Sequence, residues 1–198
     1  MTEKRSKNKR SGKIFVFSGP SGSGKTTLRD LIIKDPVFSR KFIKSVSFTT
    51  RPKRKGEKEG ADYYFITKDE FLRLKKAGKI LEWTKYLENY YGTSRDFISQ
   101  SLKKGKSLIL CLDFKGFLNV KRFYKENTVG IFVLPPSIKE LRKRIVKRSS
   151  GTLEKELGKR LSLAVKEIKN APKYDYAFRN INLNNSVNRL KGIILKIL

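Results

Sequence analysis

The stretch Gly19-Pro20-Ser21-Gly22-Ser23-Gly24-Lys25-Thr26 decides the fold of this chain. It matches the pattern G-x-x-x-x-G-K-[ST] at every defined position. The run 13–18 before it is short, apolar and rich in aromatic and β-branched residues, which predicts a buried strand. Residues 26–34 after it have helical spacing and stop before Pro36. A strand, a glycine-rich turn and a helix in this order predict a phosphate-binding loop.

The chemistry of such a loop follows from its residue types. Glycines let the backbone curl until successive N–H groups face phosphate oxygens, and the following helix adds the positive end of its dipole. Lys25 is expected to bind the β- and γ-phosphates, and the Thr26 hydroxyl to bind Mg²⁺. The alternative is a Gly/Ser turn with a chance lysine. The motif indicates a nucleoside triphosphate with Mg²⁺ and leaves the reaction open.

Outward from the loop, apolar runs alternate with helical patterns, which predicts an α/β fold with a parallel sheet. The predicted strands are 43–48, 107–113, 129–134 and 175–180, and the predicted helices are 95–104, 116–124, 137–148, 153–170 and 186–198. Ser137 is the expected N-cap of its helix, with Glu140 in the capping-box position. The runs at 107–113 and 129–134 are almost continuously apolar, as in a sheet covered on both faces.

The stretch 46–96 differs, because its elements are short and its loops are polar. A loop is predicted at 49–60, a strand at 63–66, a helix at 67–78 capped by Thr67 with Glu70 as its partner, and a hairpin at 80–91 around Glu88-Asn89. This pattern indicates an inserted subdomain. Two arginines three residues apart, Arg51 and Arg54, lie there with several tyrosines, a set that suits a phosphate monoester.

Three further motifs resemble the guanylate kinase family: Ser47-Phe48-Thr49-Thr50-Arg51-Pro52-Lys53-Arg54-Lys55-Gly56-Glu57, Gly60-Ala61-Asp62-Tyr63 and Asn89-Tyr90-Tyr91-Gly92-Thr93. The similarity runs over about residues 14–185. It implies a three-layer P-loop fold with a central parallel sheet, a small α+β subdomain for GMP and a helical lid. The implied boundaries are a disordered basic arm at 1–11, core at 12–45, 97–139 and 165–198, the GMP-binding subdomain at 46–96 and the lid at 140–164.

The resemblance also implies roles for individual residues. For ATP it implies Gly19, Pro20, Ser21, Gly22, Ser23, Gly24, Lys25, Thr26, Thr27 and Asn180. For GMP it implies Ser47, Arg51, Arg54, Glu57, Tyr63, Glu82, Tyr91, Gly92, Thr93 and Asp113. The implied catalytic residues are Lys25, Arg51, Arg144, Arg148 and Arg160, and the implied Mg²⁺ ligands are Thr26 and Asp113. Without the other motifs, the arginines at 144–160 would be read as a solvated basic helix face.

Guanine chemistry supports the assignment of Glu82 independently. Guanine presents two donors, N1–H and N2–H₂, on one edge, and one carboxylate accepts both, whereas adenine presents an acceptor at N1. Unpaired polar groups in a closed site give discrimination of about 10⁴. Taken alone, Glu82 would be read as a solvated strand residue.

The strand end Cys111-Leu112-Asp113 departs from the family, which usually has two carboxylates there in a D-x-D pattern. Asp113 alone is left as an acid that links the two sites. Cys111 is read as a buried apolar filler, with a reactive thiol as the alternative. The departure raises the question of how Mg²⁺ or guanine is held without the first carboxylate.

The function implied is transfer of the ATP γ-phosphoryl group to GMP and dGMP, with Mg²⁺, giving ADP and GDP from GMP. One rival is a guanylate-kinase-like binding module that holds phosphopeptides, which Lys25, Thr26 and the lid arginines argue against. Another is a kinase that also contacts RNA or DNA through its charge. The sequence carries no indication of oligomeric state.

Composition restricts the function classes. The chain has 198 residues and a net charge of +29. This charge fits a solvated lysine-rich surface, attraction to polyanions or the binding of a phosphate-rich substrate. One cysteine and no histidine exclude an intrachain disulfide and Ser-His or Cys-His hydrolases, and argue against a Zn²⁺ site. No apolar run approaches the ~20 residues of a membrane span, and a cytoplasmic location is expected.

Overall fold

The computed structural model describes residues 11–86, 88–148 and 154–198. Within these ranges the strands are β1 (Ile14–Ser18), β2 (Phe42–Lys44), β3 (Ser47–Thr49), β4 (Tyr63–Phe65), β5 (Ile80–Tyr86), β6 (Asn89–Ser94), β7 (Ser107–Cys111), β8 (Thr128–Leu134) and β9 (Tyr176–Arg179). The α-helices are α1 (Lys25–Lys34), α2 (Lys68–Lys76), α3 (Arg95–Lys103), α4 (Phe114–Phe123), α5 (Ile138–Arg148), α6 (Glu154–Ile168) and α7 (Leu183–Ile197).

A five-stranded parallel sheet, in the order β2-β7-β1-β8-β9, forms the centre of the molecule. Successive residues of β1 belong to opposite faces: Ile14 and Val16 pack in one apolar cluster, and Phe15 and Phe17 in another. Both faces are therefore covered, which explains why the strands read as continuous apolar runs. The predicted parallel α/β fold is confirmed.

Helices supply the cover on each face. In the first cluster, Ile98 and Leu102 of α3 and Phe117 and Val120 of α4 pack against the sheet. The second takes Leu28, Ile32, Leu190 and Ile194 from α1 and α7. Each fully buried side chain of this kind stabilises the fold by roughly 1.5–3 kcal/mol. The helix α1 that follows the phosphate loop is thereby fixed to the sheet.

A second sheet, in the order β4-β3-β6-β5, stands apart from the first. β3 pairs with β4 in parallel, whereas β6 is antiparallel to both β3 and β5. The hairpin closes with Tyr86 opposite Asn89, and Glu88 has a φ of 68°, in agreement with a turn near the predicted position. Phe71 of α2 is buried and stacks on Tyr90 with 5.2 Å between ring centroids, so α2 covers this sheet.

The predicted single strand at 43–48 is wrong, because this segment forms two strands in different sheets. Ile43 of β2 pairs with Leu108 of the central sheet, whereas Phe48 of β3 pairs with Tyr64 and Gly92 of the second sheet. A short strand pattern indicates an extended chain but carries no information about the strand with which it pairs. The chain passes from one sheet to the other at residues 45–46.

Helix caps account for the starts of the helices. The hydroxyls of Thr67 and Ser137 accept hydrogen bonds from the amides of Glu70 and Glu140, as predicted. The last helix begins at Leu183, three residues before the predicted start, because the Asn182 side chain caps it. Capping side chains of this kind satisfy amides that the first turn leaves without partners.

Helices α5 and α6 pack on each other through a separate small apolar cluster of Leu141, Ile145, Leu157 and Ala164. Residues 149–153, which connect them, lie outside the described residues. Among the helices of the described ranges, none combines the length and apolar character needed to cross a membrane.

Candidate active site

The phosphate loop connects β1 to α1 at the centre of the parallel sheet. Gly19, Gly22 and Gly24 have φ values of 136°, 89° and 99°, which only glycine adopts readily. A Cβ at Gly19 would overlap the carbonyl oxygen of Val133 in β8. The backbone thus follows the curled path that the motif predicts, close against the neighbouring strand.

The Lys25 ammonium lies over this loop. It donates hydrogen bonds to the carbonyl oxygens of Gly19 and Pro20, at 2.5 and 3.0 Å. Thr26 and Thr27 are exposed in the first turn of α1, which contains no acidic residue. A helix N-terminus with a lysine and two hydroxyls, free of carboxylates, attracts phosphate.

Asn180 braces the loop from the end of β9. Its side chain is 5% exposed, and its Nδ2 donates to the Ser23 carbonyl oxygen at 2.9 Å. A Cβ at Gly24 would overlap the same nitrogen. Asn180 therefore contacts the loop backbone directly, and its suggested contact with adenine stays a prediction.

The second sheet carries a buried carboxylate at Glu82, which is 3% exposed. Glu82 in β5 lies opposite Thr93 in β6, and the fully buried Thr93 hydroxyl donates to its Oε1. The Oε2 atom lies beside Gly116, where a Cβ would stand 2.9 Å from it. The carboxylate thus points out of the sheet toward the start of α4.

Asp113 joins this site from the central sheet. Its Oδ1 accepts the Gly116 amide at 2.7 Å and caps α4. The pKa of Glu82 is raised to about 7, chiefly by burial and further by the negative charge of Asp113, although the Thr93 hydroxyl acts in the opposite direction. Two carboxyl groups from different sheets therefore converge at one end of α4.

The loop after β3 forms a cationic corner, which consists of Arg51 and Arg54 with the neighbouring Tyr63 and Tyr91. The Arg51 side chain is 11% exposed, and its Nη2 donates to both carboxylate oxygens of Glu57, at 2.7 and 2.9 Å. Glu57 also accepts the amide of Arg54 at 2.8 Å. Arg51 lies 5.6 Å from the ring centroid of Tyr63, whose ring meets that of Tyr91 edge-on at 5.9 Å. Glu57, predicted to bind GMP, is here the residue that orients Arg51.

The other predicted GMP residues lie on the same sheet. Gly92 is buried in β6 between Tyr91 and Thr93, and a Cβ there would press on Ile80 and Phe71. Ser47 begins β3 and is partly buried, and Arg54 is exposed.

Of the three arginines predicted to lie on the lid, Arg144 and Arg148 belong to α5 and Arg160 to α6. The Arg144 Nη1 lies 3.5 Å from the carbonyl oxygen of Gly22, and its Nε lies 3.5 Å from Glu140. Arg160 is 14% exposed and pairs with Glu156 at 2.5 Å. Arg144 is thus beside the phosphate loop. Arg148 ends α5, but its side chain lies outside the described residues, as does most of the predicted basic arm.

Two charged residues at the site escaped the sequence analysis. Glu167 in α6 has its pKa raised to about 7, first by burial and also by Asp113, while Lys25 acts in the opposite direction. Arg29 in α1 interacts with Cys111 and with Tyr63. The only sequence signal for Arg29 is its position four residues after Lys25, and Glu167 has none, because it is one charged residue near the end of a long helical pattern.

A phosphate loop in a parallel sheet, joined by a second sheet with a buried carboxylate and an arginine–tyrosine corner, defines a P-loop kinase that acts on nucleoside monophosphates. A family model described as guanylate kinase matches residues 11–197. The chain belongs to the guanylate kinase family, whose members are transferases that phosphorylate GMP.

Individual relatives agree with this family. A guanylate kinase of Wolbachia pipientis wMel is 42% identical, over 95% of this chain and 92% of the relative. One from Bacillus subtilis (strain 168) is 40% identical, over 94% and 90%. The crystal structure of guanylate kinase from Anaplasma phagocytophilum superposes with a TM-score of 0.76 at 35% identity and covers 94% of this chain and 86% of that one.

Proposed function

We propose that this protein transfers the γ-phosphoryl group of ATP to GMP and to dGMP, with Mg²⁺ as cofactor, so that ATP and GMP give ADP and GDP. The observation that carries this proposal is the Glu82 carboxyl group. It is 3% exposed, bonded on one side by Thr93, and its Oε2 lies beside Gly116 in the first turn of α4. A buried acid in this position needs a ligand that offers donors, and the guanine edge offers two.

ATP is proposed to bind the phosphate loop through Lys25 and the amides around Gly22 and Gly24. The Lys25 ammonium already lies against the loop, so triphosphate oxygens would replace the carbonyl oxygens of Gly19 and Pro20 as its partners. Thr26 and the second oxygen of Asp113 suit Mg²⁺, which usually takes few protein ligands and several phosphate oxygens or waters. When bound, Mg²⁺ neutralises charge that develops on the phosphates.

Glu82 is proposed to accept the N1–H and N2–H₂ groups of guanine. Thr93 has one hydroxyl hydrogen, so its bond to Glu82 and a bond to guanine O6 are alternatives. Ser47, at the start of the neighbouring strand β3, is the other proposed donor to O6. Adenine would present an acceptor at N1 to the Glu82 carboxylate, which is why AMP should be rejected.

Arg51, Arg54, Tyr63 and Tyr91 are proposed to hold the GMP phosphate. Both carboxylate oxygens of Glu57 accept from the Arg51 Nη2, so one residue of the corner is already oriented. The acceptor oxygen belongs to an anionic phosphate, and transfer therefore needs no general base. This agrees with a chain that contains no histidine.

Arg144, Arg148 and Arg160 are proposed to meet the moving phosphoryl group from α5 and α6. Positive charge placed in line stabilises the transition state, and closure over the site keeps water from hydrolysing ATP. The contact of Arg144 with Gly22 brings one of these cations to the donor side. Turnover is expected on the order of 1–100 s⁻¹.

A coupled ADP-release assay over GMP, dGMP, AMP, UMP and CMP tests the proposal. Activity should appear with GMP and dGMP and be at least about 10³-fold lower with the others. Lys25→Ala should remove it, whereas Lys34→Ala, which deletes an exposed lysine from the same helix, should not. Equal rates with AMP and GMP would refute the proposed role of Glu82. A rate of ATP hydrolysis that does not change when any acceptor is added would refute kinase activity.

A further inference from the structure

The edge strand β5 contacts the core of the molecule through a β-bulge at Leu81. Between the partners of Ile80 and Glu82 the opposite strand β6 advances by only one residue, so Leu81 is the extra residue. Neighbouring side chains of a regular strand point to opposite faces, and a bulge changes this alternation. Leu81 therefore packs in the same apolar cluster as Phe117 of α4, and Glu82 also lies beside α4, at Gly116.

Trp83, the next residue, lies on the face of β5 that α2 covers. The Lys75 ammonium of α2 lies 3.6 Å from the centroid of the Trp83 ring, and the Tyr90 ring lies 5.9 Å from it. The Lys115 ammonium lies 5.3 Å from the same centroid, although Lys115 belongs to α4, which packs on the central sheet. An indole ring attracts a cation within about 6 Å of its centroid. Lys115 therefore connects the helix of the central sheet to the outer face of β5.

The first turn of α4 thus contacts both faces of the edge strand. Lys115 and Gly116 are neighbours in this turn and point about 100° apart around the helix axis. Gly116 leaves room for the Glu82 carboxyl group on one face of β5, where a Cβ would stand 2.9 Å from the Oε2. Lys115 extends past the strand edge to the Trp83 ring on the other face. The Asp113 Oδ1 caps the same turn through the Gly116 amide, at 2.7 Å.

We infer that Lys115 is a positioning residue for base selection: its contact with Trp83 holds β5 against α4 and thereby holds Glu82 in place. The inference rests on the proposed function, in which Glu82 accepts the guanine donors. β5 pairs only with β6 in its sheet, so its other edge depends on contacts with α4. Apparent affinity for the base falls with the fraction of molecules in which the Glu82 carboxylate is in position.

Lys115→Met tests this, because it removes the charge over the ring and keeps most of the aliphatic side chain. The KM for GMP and the inhibition constant of guanosine should both rise about two- to fivefold, the value of one partly exposed cation–π contact. The KM for ATP and the kcat at saturating GMP should not change. Lys115→Arg should restore both constants, since a guanidinium also binds the ring face. A loss confined to GMP, with guanosine unaffected, would assign Lys115 to phosphate attraction and overturn the inference.

Two lysines of α2 provide variants of matched charge. Lys76→Met removes an exposed ammonium beside Lys75 and should leave all the constants unchanged. Lys75→Met removes the nearer cation from the Trp83 ring but breaks no link to α4, so it should weaken guanosine binding less than Lys115→Met does. Equal weakening by Lys75→Met and Lys115→Met would contradict the inference, because the charge on the ring and not the link to α4 would then matter.

Trp83 is the one tryptophan of the chain, so its fluorescence reports on the contact without any turnover. Removing a charge beside an indole ring shifts its emission. Lys115→Met should therefore shift the spectrum of the free protein, whereas Lys115→Arg should not, and identical spectra of Lys115→Met and the wild type would show that the contact does not form. The wild-type assay over the five acceptors comes first. Failure there rejects the proposed function, whereas the emission shift tests the Lys115 contact whatever the substrate is.

Discussion

Glu82, the residue that we propose selects the base, is held in the fold at an energetic cost. A carboxyl group that is 3% exposed and has a pKa of about 7 favours its neutral form in the fold. Its contribution to stability is present below its ordinary pKa and is lost as the pH rises through about 7. The ionised form, which the guanine donors need, is therefore the less stable form of the protein, and nucleotide binding must supply the difference.

This titration predicts a pH dependence of guanosine binding. The carboxylate fraction of Glu82 falls about tenfold per unit below its pKa, so the guanosine inhibition constant should rise by the same factor between pH 6 and 5. Guanosine is chosen because the phosphate of GMP itself titrates near 6. Glu82→Gln should bind weakly with no such slope, whereas Glu167→Gln should keep it. If the guanosine inhibition constant of the wild-type protein did not change between pH 5 and 8, Glu82 would not be the residue that binds the base.

Residue-level prediction from the sequence worked where one motif held the whole signal. The glycines of the loop have positive φ values and the Lys25 ammonium lies over the loop, as the pattern indicates, whereas their binding of ATP stays a prediction. Arg29 and Glu167 were missed because their partners, Cys111, Tyr63 and Asp113, lie far away in the chain. Charged residues that are close together only in the folded structure leave no pattern in the local sequence.

At the scale of elements, the phosphate loop depends on a strand from the far end of the chain. Asn180 follows β9, and its side chain bonds the loop backbone at Ser23. The loop itself makes few contacts of this kind, among them the Ser23 amide to the Pro20 carbonyl at 3.0 Å. The position of the loop is therefore set partly by the edge of the sheet.

Asn180→Ala should loosen the loop. It leaves the Ser23 carbonyl without its side-chain donor, at a cost of about 1–3 kcal/mol in the free energy of unfolding. The KM for ATP should rise more than that for GMP, because the loop holds the donor. Asn184→Ala, at an exposed position of α7, is the matched control. Denaturant melts and steady-state kinetics measure both, and an Asn180→Ala variant as stable as Asn184→Ala would remove the bracing role.

Element boundaries were predictable where a side chain caps a helix and unpredictable where a chain changes sheets. Thr67 and Ser137 begin their helices as expected, since capping is local chemistry. The segment 43–48 has no turn residue to divide it, yet β2 and β3 pair with strands 65 and 16 residues away. Pairing with distant residues decides to which sheet a strand belongs, and a short stretch of sequence does not show that pairing.

At the scale of the whole molecule, the net charge of +29 exceeds what one nucleotide site needs. Much of it lies on exposed helix faces, such as that formed on α5 by Lys139, Arg142, Lys143 and Lys147. A surface of this kind attracts polyanions without recognising a sequence.

We expect measurable, salt-dependent binding to a short DNA duplex. Affinity should fall about tenfold or more between 50 and 200 mM salt, because each phosphate contact releases counterions. Deleting residues 1–10, which contain five lysines and arginines, should weaken binding and flatten the salt slope. Fluorescence polarisation measures both, and GMP kinase activity at each salt concentration serves as the control. Binding that is insensitive to salt would assign the charge another role.

Gly116 keeps room for the Glu82 and Asp113 carboxyl groups at the start of α4. The glycine lies in the first turn of α4, which Asp113 caps, and a methyl group there would stand 2.9 Å from the Glu82 carboxylate and 3.3 Å from Asp113. The two acids share their space because this backbone position has no side chain. Even the methyl group of alanine would push them apart, so the missing side chain sets the position of the carboxylate that we propose selects the base.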